Sequence, residues 1–432
     1  MQLPNRADDA LLDRLQRESF TYFLAHVNRA NGLIADKSQA GWPASIAATG
    51  MALTAYPVAV ARGFMTRDEA VAITLTTLRF FRDSVQSTAP EATGYRGFYY
   101  HFLDMTSGQR AWGSELSTVD SGFLFAGALT AAAFFDGDDE REQQIRTVAD
   151  ELYRRADWRW AQNGSATLTH GYKPKRGFLP YRWQGYDEAL LLYVLALGSP
   201  TCPLPVDSYA AWLSSYCWRA IYDYELVYAG PLFIHQLSHI WIDFRGIQDA
   251  FMRERGLDYF ENSRRATYVQ REYAIRNPRE FAFYGKDCWG LTASDGPGPA
   301  TVRVNGVKRR FFDYVARGAP DGPDDGTIAP WAVVASLPFA PEIVMPAIRY
   351  FVDGVHLEEP HAYGFKATFN PTFPVVSDNP YGWVSPWNFG LNQGPIVLMI
   401  ENQRSEFVWR LMRRCPYLVQ GLRLAGFRGG WL

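Results

Sequence analysis

Cysteine is scarce in this chain. Cys202, Cys217, Cys288 and Cys415 are the 4 in 432 residues, and they form neither a C-x-x-C pair nor a close-set framework. That excludes a disulfide-stapled scaffold. Reduced, mostly buried thiols are expected, with one accidental disulfide as the alternative. An excess of one charge is lacking too: 43 Lys and Arg stand against 45 Asp and Glu, a net charge of −2. No basic field draws nucleic acid, and the densest clusters, Lys308-Arg309-Arg310 and Arg413-Arg414, are short solvated faces. No apolar run approaches the ~20 residues of a membrane span. The opening M-Q-L-P-N-R-A-D-D-A has no basic region followed by an apolar one. The chain as it stands is expected in the cytoplasm, or in the periplasm if a signal has been removed. Walker, Rossmann and G-x-S-x-G patterns are missing as well.

What the chain has is aromatics, 15% of it, with 14 Trp and 24 Tyr. Many sit beside Gly, Asn, Asp and Pro, in loops rather than on periodic stripes. Rings in loops suit stacking on the apolar faces of sugars, although they also serve protein interfaces.

Helical periodicity dominates the rest. Helices are expected at Asp8–Val27, Ile46–Arg62, Arg67–Val85, Ser117–Phe135 and Asp138–Asp157, then at Glu188–Leu197, Arg245–Glu254 and Tyr259–Arg276. Further ones are expected at Ala329–Leu337, Pro341–Val352, Asn392–Asn402 and Phe407–Leu424. Apolar helices alternate with charged ones, the pattern of inner and outer helices in an α/α toroid. No fixed-length repeat marks a solenoid. Ser87–Gly113 reads as a looped hairpin, and Asn305-Gly306 as the turn of a small β-hairpin within Ala300–Tyr314. Gly318–Gly326 is a loop, so residues 1–432 are expected to form a single domain.

Several constellations carry chemistry. In Y-R-W-Q-G-Y-D-E, Glu188 is expected in the first turn of an apolar helix that Asp187 caps, beside Tyr181, Trp183 and Tyr186. Aromatic desolvation raises a carboxyl pKa and a helix N-terminus lowers it. Glu188 is therefore an acid if the rings win and a base if the dipole wins. In W-G-S-E-L-S-T-V-D, Glu115 and Asp120 open another apolar helix next to Trp112. Ser117-x-x-Asp120 also fits a capping box. Five residues apart on a helix, these acids diverge by about 140°. His235, His239 and Asp243 fall at i, i+4 and i+8 of an expected helix, a possible metal row in which Gln236 replaces the usual Glu. Binding of sugar hydroxyls by His235, Gln236 and His239 is preferred, with core histidines as the alternative. Trp289 and Asp295, then Trp387, Asn392 and Gln393, lie in aromatic-plus-polar loops read as glycan platforms or plain turns.

Seven ordered blocks carry a resemblance. They are Y-D-E-A-L-L-L-Y-V-L-A-L-G-S-P-T, G-P-L-F-I-H-Q-L-S-H-I-W-I-D-F-R, F-E-N-S-R-R-A-T, W-G-L-T-A-S-D-G-P, D-G-T-I-A-P-W-A, S-L-P-F-A-P-E and N-Q-G-P-I-V-L-M-I-E-N-Q-R-S. Together they resemble the glycoamylase-like domain of bacterial glycoside hydrolase family 144, from about Leu12 to Leu411. The resemblance implies an all-α (α/α)6 toroid and hydrolysis of linear or cyclic β-1,2-glucan to sophorose or short sophoro-oligosaccharides. It implies no metal or organic cofactor, and a glucan oligosaccharide as the partner. Glu188 falls on a glutamate of the family's active site. Asp120 falls where the family usually has Glu, Ser117 where an Asp is common, and Asn392 where many relatives have Asp. Glu115 is the candidate substitute for the missing acid. The family is considered to invert, and the shorter Asp120 leaves room for an attacking water. A relative acting on another or modified β-glucan, or a non-catalytic glucan-binding protein, is the alternative.

Overall fold

The computed structural model describes residues 6–359, 362–375 and 380–432. The first five residues of the N-terminal stretch lie outside them. Among the described residues the α-helices are, in chain order, α1 (Arg6–Ala25), α2 (Ile46–Arg62), α3 (Arg67–Asp83), α4 (Thr118–Phe134), α5 (Glu140–Arg155), α6 (Trp158–Gln162), α7 (Leu190–Gly198), α8 (Asp207–Leu213), α9 (Ala250–Arg255), α10 (Tyr259–Arg276), α11 (Pro330–Ala335), α12 (Pro341–Arg349), α13 (Gly390–Ser405), α14 (Phe407–Met412) and α15 (Pro416–Leu424). The described residues are 45% helical.

The chain divides into two compact units. One comprises Phe23–Cys217, Ser238–Tyr259 and Ser405–Leu432; the other comprises Met1–Tyr22, Trp218–Leu237 and Phe260–Arg404. The chain passes between them after Tyr22, Cys217, Leu237, Tyr259 and Arg404.

The first unit is built on α2 and α4, which are buried almost all round. They cross closely because both carry glycine at the contact. A Cβ on Gly50 would lie 2.4 Å from the Phe123 carbonyl oxygen, and one on Gly127 would lie 2.2 Å from that of Gly50. The paired helices α3 and α5 are amphipathic by contrast. They bury Ala70, Val71, Leu75, Leu78 and Phe81, and Ile145, Val148, Ala149 and Leu152, at helical spacing. This is the alternation of apolar and charged helices that the sequence presents.

Both inner helices are entered the same way. Strand β1 (Ala44–Ser45) runs into α2 and ends on its N-cap, Ser45, whose hydroxyl accepts the Ala48 N–H. Strands β2 (Gly94–Tyr95), β3 (Phe98–Tyr100), β4 (Phe102–Leu103) and β5 (Leu116–Ser117) follow, then β6 (Gly171–Lys173) and β7 (Gly177–Phe178). Strand β5 runs into α4 and ends on its N-cap, Ser117, which accepts the Asp120 N–H. The five-stranded sheet β2-β3-β5-β6-β7 pairs Tyr99 with Ser117 and Tyr100 with Leu116, while β1 pairs with β4. The hairpin expected within Ser87–Gly113 is β2-β3.

In the second unit, Ala300–Val304 and Val307–Phe311 form the expected hairpin. Asn305 and Gly306 both have positive φ, +48° and +81°, which a tight two-residue turn requires. Arg317 and Asp325 form a fully buried ion pair at 2.8 Å.

Some helices depart from expectation. Helix α7 starts at Leu190, so Glu188 sits in the turn before it. Asp187 accepts the Ala189 N–H (3.0 Å), a local turn that delays the helix rather than capping it. Arg245–Glu254 is helical only from Ala250. Asp243 binds the Arg245 N–H, Gly246 has φ +74°, and Asp249 supplies the N-cap. Phe407–Leu424 breaks in two because Pro416 opens α15 as its first residue. The four cysteines are free thiols; Cys288 and Cys415 are buried. No described helix is long and apolar enough to cross a membrane.

Candidate active site

The first unit gathers the candidate acids. Strand β3 continues into His101, whose N–H donates to the Glu115 carbonyl (2.9 Å) across the register that pairs Tyr100 with Leu116. The side chains follow the backbone. His101 Nδ1 is 2.9 Å from Glu115 Oε1, and Nε2 is 3.6 Å from Asp120 Oδ2. The 140° divergence expected of Glu115 and Asp120 is therefore corrected. Only Asp120 is on the helix; Glu115 precedes β5, and both acids meet the same imidazole. Asp120 Oδ2 also accepts the Ser117 hydroxyl at 2.5 Å, so the N-cap and the acid are joined directly.

Charge follows from this geometry. Burial pulls the His101 ring down, but Asp120, Glu115 and Asp36 outweigh it and lift the group to about 9. Burial pushes Glu115 up, and the hydrogen bond and charge of His101 reverse that, leaving it at about 2. Glu115 is thus a fixed anion rather than a proton donor. Burial raises Asp36, with His101 and the Trp42 indole opposing.

Glu188 behaves in the opposite way. It is partly buried, and desolvation, then the charges of Asp187 and Asp120, push it up to about 8. Burial also lifts Asp187 to about 7, against hydrogen bonds from the Ala189 N–H and the Trp212 indole (3.1 Å). The question left open between rings and helix dipole is answered by position: Glu188 lies before α7, where desolvation wins. Glu188 is anchored by its own carbonyl, which accepts the Ser238 hydroxyl (3.3 Å), while that hydroxyl accepts the Leu191 N–H (3.0 Å). Trp183 ties this loop to the start of α4, donating its indole N–H to Thr118 Oγ1 at 2.9 Å. Its ring stacks on His170, centroids 3.8 Å apart. Tyr186 is buried and stacks on Tyr259.

An aromatic wall stands beside the acids. Phe102 stacks on His101 (3.9 Å, 13°) and packs against Trp112, which meets Trp42 edge-on at 4.6 Å. Trp42 donates to Asp36 (3.1 Å), and Lys37 Nζ lies 3.6 Å over its ring. Trp42 and Trp112 line a cavity of about 950 Å³, together with His26, Gln39, Asp104 and Arg110. Trp112 is 59% exposed at φ +52°, a conformation that bulky residues avoid. Arg110 holds it there by donating to the Ser114 and Gly113 carbonyls (2.5 and 2.6 Å).

The 232–243 segment corrects the expected helix face. It folds as two 3-10 turns, Leu232–His235 and Leu237–Ile240, so His235, His239 and Asp243 form no α-helical row. Asp243 is instead paired with Arg245 (2.7 Å) and Arg413. No group of three or more His, Cys, Asp or Glu able to hold a metal occurs among the described residues. Buried Gln236 gives its amide hydrogens to the Ala332 carbonyl (2.6 Å) and the Ser336 hydroxyl (2.8 Å). Buried His235 lies 3.1 Å from the Ala229 carbonyl and is pulled down to about 4 by desolvation. His239 is buried, and its carbonyl accepts the Trp409 indole. All three side chains are buried.

Within the second unit, Asp295 Oδ2 accepts the Ser385 hydroxyl (2.8 Å), whose oxygen accepts the Trp387 N–H (3.3 Å). The structure thus joins Asp295 to Trp387. Trp289 is buried, and Asn392 and Gln393 are buried in the first turn of α13.

Sequence reasoning missed His101, Asp36 and Trp42. The signal for His101 was present in Y-R-G-F-Y-Y-H-F, where a lone imidazole follows a run of strand-forming aromatics.

Comparison with known proteins matches a family model, a curated relative and solved structures. The family model described as Glycoamylase, putative glucoamylase, matches residues 180–416. The exo beta-1,2-glucooligosaccharide sophorohydrolase (non-reducing end) of Parabacteroides distasonis is 29% identical over 96% of this chain, which spans 58% of that relative's length. The crystal structure of a putative glucoamylase from Bacteroides uniformis superposes with TM-score 0.87 at 30% identity, covering 100% of both chains. An endo-beta-1,2-glucanase from Chitinophaga pinensis shares the helix-rich fold, with TM-score 0.85 and 24% identity over 100% of both chains.

Proposed function

Since the chain belongs to the putative glucoamylase family, we infer that it is a glycoside hydrolase cleaving linear or cyclic β-1,2-glucan to sophorose or short sophoro-oligosaccharides. The sophorohydrolase relative supports the linkage. The observation that carries the chemistry is the contrast in surroundings between two carboxyls: Glu188 is desolvated and lifted to about 8, while Asp120 faces the His101 ring at 3.6 Å and accepts the Ser117 hydroxyl. Two carboxyls in surroundings this different can take acid and base roles at one pH.

In the proposed reaction, Glu188 gives its proton to the glycosidic oxygen as the bond from that oxygen to C1 breaks. A water attacks C1 from the opposite face, and Asp120 takes the proton that this water loses. Asp120 ends protonated and Glu188 ionised, and solvent returns both to their starting states. The product anomer is inverted. Trp112, Trp183 and Tyr186 supply stacking surfaces. The alternating apolar and amphipathic helices support one (α/α)6 toroid over residues 1–432.

Incubation with linear and cyclic β-1,2-glucans, followed by reducing-end and product analysis, tests this. Sophorose-series products with an inverted anomer by NMR are expected. Cleavage of an α-glucan with no turnover of β-1,2-glucans would overturn the linkage. Ser117 and Asn392, which stand where the family commonly has Asp, favour a modified β-glucan as the second reading; a glycan panel separates the two.

A further inference from the structure

We propose that His101, bridged between Glu115 and Asp120, is a positioning residue that directs which of the two candidate carboxyls, Asp120 or Glu188, keeps the site's proton. The proposal rests on the glycosidase reading and deepens it.

The geometry comes first. Glu115 Oε1 lies at one ring nitrogen (2.9 Å) and Asp120 Oδ2 at the other (3.6 Å). A neutral imidazole can hydrogen-bond Glu115 but offers Asp120 no charge; an imidazolium does both, pairing with Asp120 electrostatically across 3.6 Å. The ring has little freedom to turn. Phe102 stacks on it, its backbone N–H is bound to the Glu115 carbonyl, and its carbonyl accepts the Ile46 N–H (3.2 Å). Ser117 and His101 address the same oxygen of Asp120, which orients that carboxylate.

The surrounding charges agree. Asp120 on α4, Glu115 before β5 and Asp36 before β1 all favour the charged ring. Lys37 acts on Asp36, and Lys173 on β6 acts on Glu115, as does Arg110. Glu188, by contrast, is raised first by desolvation and then by the negative charges of Asp187 and Asp120. A cation stands beside one candidate carboxyl, and burial and anions act on the other. That asymmetry sends the proton to Glu188. Glu115 then has a distinct task, as the counter-ion that holds His101.

The test compares pH profiles of kcat and KM on sophoro-oligosaccharides for wild type, His101→Gln, and His101→Ala with and without added imidazole. His101→Gln is expected to lower kcat about tenfold or more and to change KM by no more than about twofold. Its acidic limb is expected to move up by about one pH unit or more. Imidazole added to His101→Ala should restore rate and return the limb towards wild type. A merely structural histidine would not move the limb. An unmoved acidic limb in folded His101→Gln overturns the proposal while leaving the glycosidase reading intact. No wild-type turnover of any β-glucan overturns the glycosidase reading and this role with it. If the variants do not fold, nitrogen-15 NMR of wild-type histidines decides. Both His101 nitrogens protonated at about pH 8 is the expected result; a singly protonated ring overturns it.

Discussion

Glu188 faces opposed demands from folding and from chemistry. Burial, followed by Asp187 and Asp120, raises its carboxyl to about 8. A glutamate so raised binds more protons folded than unfolded. The stability it contributes is complete below the ordinary glutamate range and is lost as pH rises through about 8. Glu188→Gln should therefore raise the melting temperature over wild type more at about pH 9 than at about pH 5. The same variant should lower kcat by roughly 10²–10⁴-fold. Equal melting differences at both pH values would sink the account of a desolvated acid. Glu188 was legible because it stands in a dense patch of rings beside an apolar run. His101 was not, because its importance comes from two carboxylates that reach it from different elements. Counting Glu115 and Asp120 along one helix hid the strand β5 between them, and with it their shared partner.

Two serine-capped helices entered from two-residue strands hold the site. The cap on α4 and the contact to Asp120 are the same side chain, Ser117, so the helix start and the carboxylate move together. The crossing of α2 and α4 then matters for the acids. A methyl added at Gly127 would meet backbone oxygen rather than a side chain that can swing away. Gly127→Ala should cost about 1–3 kcal/mol, read from urea and thermal unfolding. An unchanged midpoint would mean that the helices can separate without penalty. Periodicity made these helices legible, and Ile46–Arg62 and Tyr259–Arg276 match to the residue. It could not show the 3-10 turns at 232–240, because an apolar run with histidines four apart reads equally well as an α-helix. Nor did it separate Phe407–Leu424 into two, although Pro416 marks the break.

A net charge of −2 sets no long-range field for a neutral glucan. kcat/KM on β-1,2-glucan should therefore change by less than about twofold between roughly 50 and 500 mM salt. A steep fall would point to an anionic, modified substrate. Connectivity has a different outcome. Helix α15 packs on α7 so closely that a Cβ at Gly421 would lie 1.9 Å from the Val194 carbonyl oxygen. The unit that begins at Phe23 is thus walled in part by Ser405–Leu432, which is synthesised after the other unit's Phe260–Arg404. During synthesis, the apolar run Leu190–Gly198 waits for this part of its cover until Pro416–Leu424 has been made. Until then that run is exposed apolar surface, open to aggregation or to a chaperone.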